Sequence, residues 1–240
     1  MPETTQIKIR QKEVDQLVMN DGFVLIKSKL TNEGLTTKSG VIVGFNVHTN
    51  YGEGFDSHVA NLAVIIGEIV KIPKRLIYDE DNITDSMLWK TEIEVLPGDI
   101  VWFDYLASLN CDEFVTEENT YKILAYDSLW VAKRGNKIIP LNGYCLIKPR
   151  KKKVSETLYT PDDDKLDLTC GTVSYLGRPN DRYIDPSDSD KIDVEVGDKV
   201  VFSRRYQLHP IFLERSEYLA EFDEKFLLRV QRRDFALVIK

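Results

Sequence analysis

Short runs of apolar residues, broken by polar ones and closed by turn formers, repeat along most of the chain. The stretches "GFVLIKSK" (22–29), "AVIIGEIVKI" (63–72), "DIVWFDYL" (99–106), "YKILAY" (121–126) and "LWVAKR" (129–134) are of this kind. So are "YCLIKP" (144–149), "GTVSYL" (171–176), "KVVFSR" (199–204) and "FALVIK" (235–240). All are rich in β-branched and aromatic residues, which predicts strands. Helix is confined to a turn or two around Glu13 to Leu17. The pattern predicts an all-β protein.

Two of these stretches share a longer frame, "VLPGDIVWF" at 95–103 and "VEVGDKVVF" at 194–202. A Gly-Asp pair between apolar runs predicts a turn feeding a strand, with Gly98 and Gly197 at positive φ and the Asp99 and Asp198 side chains bonded back to the turn. The frame is one of four that recur in order. "NDGFVLIKSK" matches "LNGYCLIKPR" at an offset of 121, and "GEIVKIP" matches "GTVSYLG" at 104. The Gly-Asp turns lie 99 apart, and "ILAYDSLWV" matches "VQRRDFALV" with Asp127 and Asp234 107 apart. Chance similarity of single strands does not preserve order, so the chain reads as a tandem duplication. The first copy carries the longer connections between its first three blocks, which places those extra residues in loops.

Composition narrows the function. Apolar residues are 42% and charged ones 30% of the 240, an ordinary globular balance. A net charge of −7 argues against nucleic acid, whose phosphates need a basic face. The basic run Arg150 to Lys153 is short and reads as a solvated loop. Cys111, Cys145 and Cys170 are odd in number and widely spaced, which predicts free thiols in a reducing compartment. No apolar run approaches the ~18 residues of a membrane span, and the first residues lack a signal-peptide core. These features point to a cytoplasmic protein without membrane contact.

Candidate chemistry is sparse. His48 and His58 flank Asp56, but surface loop histidines are the commoner explanation, and His209 stands alone before Pro210. The acidic runs "YDEDNITD" and "DPSDSD" lack calcium-loop spacing and read as solvated tips. No catalytic constellation, metal set or cofactor motif is placed on any strand end, so no enzyme is expected.

The second copy, "IIPLNGYCLIKPRKK", "TLYTPDDDKLDLTCGTVSYLG", "VEVGDKVVF" and "FLLRVQRRDFALVIK", resembles the GroES-type co-chaperonins from end to end. The first copy, with "MNDGFVLIK", "GEIVKIP", "LPGDIVWF" and "YDSLWVA", resembles them less closely, and Met19 stands where the family has proline. The resemblance implies two tandem GroES-like β-barrels, at 15–135 and 136–240, behind an amino-terminal extension at 1–14. It also implies a ring-shaped cap without covalent chemistry of its own. That cap docks on a GroEL-type chaperonin through mobile loops, and meets unfolded client protein only indirectly. The docking residues would be Gly40, Val41, Ile42 and Val43 in "TKSGVIV", and Leu158, Tyr159 and Thr160 in "TLYT". On pattern alone "GVIVGFNV" is equally a buried strand, and "TLYT" a strand edge.

In the family the last strand of one subunit pairs with the first strand of its neighbour. The resemblance therefore implies a self-interface at Leu129, Trp130 and Val131, at Phe235, Ala236, Leu237 and Val238, and at Leu17, Val18 and Met19. Only Gly135, Asn136 and Lys137 separate Leu129–Arg134 from the first strand of the second copy, and so short a Gly-Asn connection predicts a tight hairpin. A hairpin would make one such pairing internal, with the two barrels side by side. A second reading is a structural protein, viral or otherwise, that reuses the barrel as an assembly module. Medium-chain alcohol dehydrogenases also contain a GroES-like domain, but their dinucleotide-binding glycines and zinc cysteines are missing from this chain.

Overall fold

The computed structural model describes residues 7–28, 35–36, 42–43, 65–77, 91–103, 107–108, 111–117, 119–151, 166–178, 194–202, 209–211 and 227–240. The chain opens with β1 (Ile7–Lys8) and α1 (Gln11–Val14), followed by β2 (Phe23–Ser28), β3 (Leu35–Thr36), β4 (Ile42–Val43) and β5 (Ile65–Lys71). Next come β6 (Ile100–Phe103), β7 (Asp112–Val115), β8 (Thr120–Ala125), β9 (Leu129–Arg134), β10 (Lys137–Pro140) and β11 (Tyr144–Lys151). The remainder is β12 (Leu166–Leu176), β13 (Lys199–Phe202), β14 (His209–Ile211), β15 (Leu227–Gln231) and β16 (Phe235–Ile239). The fold is mostly β, as the alternation predicts. The helix begins before the expected Glu13, because the Glu13 carboxylate turns back to accept the Arg10 backbone N–H at 2.7 Å.

Two main sheets result. The first runs β1-β7-β8-β2-β5-β6-β9-β10 and the second β14-β15-β11-β12-β13-β16; β3 and β4 form a separate ladder. Every described pair is antiparallel except β1 with β7. The order β7-β8-β2-β5-β6-β9 is matched strand for strand by β14-β15-β11-β12-β13-β16.

Irregularities repeat along with the strands. The β2/β5 register shifts between Leu25 and Ile26, and the β11/β12 register shifts between Leu146 and Ile147, 121 residues on. A shift between Trp102 and Phe103 recurs 99 residues later, between Val201 and Phe202. Bulges re-aim side chains, so matching bulges keep matching residues on the same face. The Gly-Asp turns also coincide. Gly98 has φ 91° and Gly197 φ 102°. Asp99 Oδ2 accepts the Leu96 N–H at 2.8 Å, and Asp198 Oδ2 accepts the Glu195 N–H at 2.9 Å.

The last block pairs differently from the sequence reading. Strand partners put Ala125 with Gln231, Leu129 with Phe235 and Val131 with Leu237, an offset of 106. Asp234 is therefore the counterpart of Ser128, not of Asp127. The shared Asp drew the alignment one residue off, and in a strand that slip exchanges the two faces.

Each sheet has its own apolar cluster. Val24, Ile26, Ile69, Val101, Phe103, Leu124 and Leu129 form one, and Cys145, Ile147, Val173, Val200, Phe202, Val230 and Phe235 the other. Gly67 and Gly171 lie where a Cβ would strike Ile26 and Ile147 respectively, residues that are themselves counterparts. The three cysteines carry free thiols.

Candidate assembly surface

The hairpin expected at Gly135 is present. Arg134 pairs with Lys137 and Val131 with Pro140, so Gly135 and Asn136 form a two-residue turn, with Gly135 at φ 59°. By sequence β10 opens the second copy, yet it completes the edge of the first sheet. Beyond it, Leu141 N–H donates to the Trp130 carbonyl at 2.8 Å. Buried Asn142 donates from Nδ2 to the carbonyls of Tyr126 and Leu129, both at 2.9 Å.

Around this hairpin the outer faces of the two halves meet. Trp102, Trp130 and Val131 of the first copy cluster with Leu146 of the second, and Ile66, Ile100, Ile138, Tyr144 and Leu227 pack around them. The Arg229 guanidinium lies 3.5 Å from the Trp130 ring centroid and 4.7 Å from that of Tyr144. A cation between two π faces in a water-poor seam is a favourable arrangement. Within the second half, Gln231 Nε2 donates at 3.2 Å to the carbonyl of Asn142, whose side chain reaches the first half. At the rim Arg178 pairs with Glu92 and, at 3.8 Å, with Glu94. Burial raises the Glu94 carboxyl above its ordinary range, against the opposing pull of Arg178.

The expected interface residues divide accordingly. Leu129, Trp130 and Val131 are buried within the chain, Leu129 in the core and the other two in the seam. Phe235 is buried in the second core, and Val238 packs against it. Ala236 is exposed, as is Leu237 at 52%. On one side β16 bonds to β13; its other edge carries no ladder among the described residues. At the opposite end Leu17, Val18 and Met19 are not in a strand, and Val18 is 78% exposed. These three lie 121 residues before Ile138, Ile139 and Pro140. One copy thus has an edge lacking the strand its counterpart pairs with, and the other copy has the segment that would supply it.

Of the expected loop anchors, Ile42 and Val43 form β4, paired with Thr36 and Leu35. Gly40, Val41, Leu158, Tyr159 and Thr160 lie outside the described residues, as do His48, Asp56, His58 and both acidic runs. Among the described residues no group of three or more His, Cys, Asp or Glu could hold a metal ion. Sequence reasoning missed Arg229 and Gln231. A charged residue between apolar neighbours in "LLRVQ" was the available signal. No family model matches the chain, and no curated protein matches it.

Proposed function

We propose that the protein is a tandem co-chaperonin, two GroES-like barrels in one chain, that closes into a ring and caps a GroEL-type chaperonin. Supporting this is the internal β9–β10 joint, beside a β16 edge and a Leu17–Met19 segment that carry no strand ladder among the described residues. Repeating that joint between chains adds a strand to each open edge, which is how exposed edges are normally satisfied. The contact is heterologous, head to tail, so it closes into a ring when the rotation permits.

Docking belongs to the loops containing Gly40 to Val43 and Leu158 to Thr160. In the first of these, the three aliphatic side chains of Val41, Ile42 and Val43 would contribute roughly 1.5–3 kcal/mol each when buried. Ordering their loop costs on the order of 1–2 kcal/mol per residue. A single loop is therefore a weak ligand, and a ring of them binds tightly through effective concentration while each contact stays reversible.

Two barrels per chain exclude a seven-barrel ring of whole chains. Three or four chains, about 83 or 111 kDa, are expected by native mass spectrometry. Native electrophoresis with a GroEL-type chaperonin should show a complex that needs nucleotide. Ring formation without capture under any nucleotide condition would refute the co-chaperonin and leave the structural-assembly reading.

A further inference from the structure

The seam between the halves and the amino-terminal segment occupy equivalent places. In the second copy the outer-face residues Ile138, Leu146 and Leu227 are covered by Trp102, Trp130 and Val131 of the first. Their counterparts in the first copy are Leu17, by the sequence offset of 121, and Leu25 and Tyr121, by strand register. These are covered instead by Val14 and Ile9, together with Phe114. Val14 is 1% exposed. The segment is further held by the Ile9 N–H to the Val115 carbonyl at 3.1 Å, and by Gln11. Gln11 Nε2 donates to Tyr121 Oη at 2.9 Å, and Thr116 Oγ1 donates to Gln11 Oε1 at 3.1 Å.

We infer that residues 9–16 are an intramolecular plug on the face where the second half of another copy of this chain would dock, and that chains join only when the plug is displaced. This rests on the ring reading above, since the occupant is identified by repeating the internal seam. The incoming surface is the second copy's equivalent of Ile66, Ile100, Trp102, Trp130 and Val131. It consists of Cys170, Lys199, Val201, Ala236 and Leu237. Plug and partner compete for one face, so the apparent affinity between chains falls by the fraction of chains with the plug released.

The test uses the full chain in a concentration series followed by mass photometry, with hydrogen exchange reporting residues 9–17. Val14→Asp should release the segment and lower the concentration for half-assembly by about ten- to a hundredfold, the factor matching one lost valine contact. Gln11→Ala, which leaves the apolar cluster intact, should give a smaller shift in the same direction and serves if Val14→Asp does not fold. Adding Leu237→Asp should reverse the gain. Release of residues 9–17 with no change in association overturns the plug. So does a gain that survives Leu237→Asp, because the partner then docks elsewhere. A wild-type ring in which residues 9–17 stay protected overturns the plug while leaving the ring reading in place. Failure of the ring reading itself would appear separately, as monomers throughout and no chaperonin capture.

Discussion

Replacing Asp99 by Ala and, separately, Asp198 by Ala sets two copies of one turn against each other. Asp99 is 2% exposed and accepts three hydrogen bonds: the Leu96 N–H at 2.8 Å, Arg134 Nε at 2.9 Å and Arg134 Nη2 at 2.7 Å. Asp198 accepts the Glu195 N–H at 2.9 Å, and its other partner, Lys240 Nζ, is at 3.4 Å and largely exposed. Hydrogen bonds to a charged group contribute about 1.5–3 kcal/mol each, are not additive, and shrink when a partner is solvated. The Arg134 side chain is 40% exposed, which reduces its share. Asp99→Ala should therefore cost about 3 kcal/mol and Asp198→Ala about 1 kcal/mol. Trp89, Trp102 and Trp130 all belong to the first copy, and the last two line the seam, so fluorescence during urea unfolding reports that half together with its seam, while circular dichroism reports both halves. An Asp198→Ala loss equal to or larger than that of Asp99→Ala would show that the bonds to Arg134 contribute nothing measurable.

Gly67→Ala and Gly171→Ala should each destabilise by about 1–3 kcal/mol in thermal melts, because the new Cβ meets the branched, fully buried Ile26 side chain at one site and the Lys148 carbonyl at the other; a neutral result at either would refute this. Ile42→Asp and Leu158→Asp should fold normally yet abolish capture by a GroEL-type chaperonin, since a charge cannot enter an apolar groove unpaired; precipitation of the variants would place both residues in the core. Burial opposes ionisation of Asp167, but hydrogen bonds from Thr169 and Cys170 outweigh it and hold the carboxyl at about 2, below the ordinary 3.8. Its contribution is therefore complete above pH 3.8 and lost as pH falls through about 2, and Asp167→Asn should flatten that part of an acid titration followed by circular dichroism.

Strand positions and turns were readable because each rests on local chemistry. Val24, Leu25 and Ile26 propagate a strand, and the glycines of the Gly-Asp turns supply positive φ, whatever the rest of the chain does. β15 was not readable as a strand in the same way. Arg229 and Gln231 interrupt its apolar run; Arg229 is buried against Trp130 from across the seam, and Gln231 is buried where it bonds to the Asn142 carbonyl of its own half. Likewise "DEFV" begins with two carboxylates and is not among the predicted strands, yet it forms β7 beside β8. The face of Leu25 and Tyr121 was hidden for another reason. Its cover comes from α1, a helical turn the sequence does signal near Glu13, but four residues are too few for periodicity to show which face they bury.

The two joints of the proposed ring are unequal in strength. Within the chain, Ile100 and Trp130 contribute to the seam; at the outward-facing copy of that surface stand Lys199 and Ala236. A tryptophan buries roughly 150–250 Å², about 4–6 kcal/mol of apolar transfer, and alanine supplies little of that. The aromatic–cation stack is lost as well, because the residue matching Arg229 is Ile123. The joint between chains is thus weaker than the joint inside each chain by about 5 kcal/mol. A permanent internal joint makes the whole chain the unit of assembly, so any opening of the proposed ring falls between chains. The same deficit explains how so short a segment can hold the face against a whole domain. Val14, Ile9 and one glutamine could not compete with a seam built on Trp130, but they can compete with one built on Ala236 and Leu237.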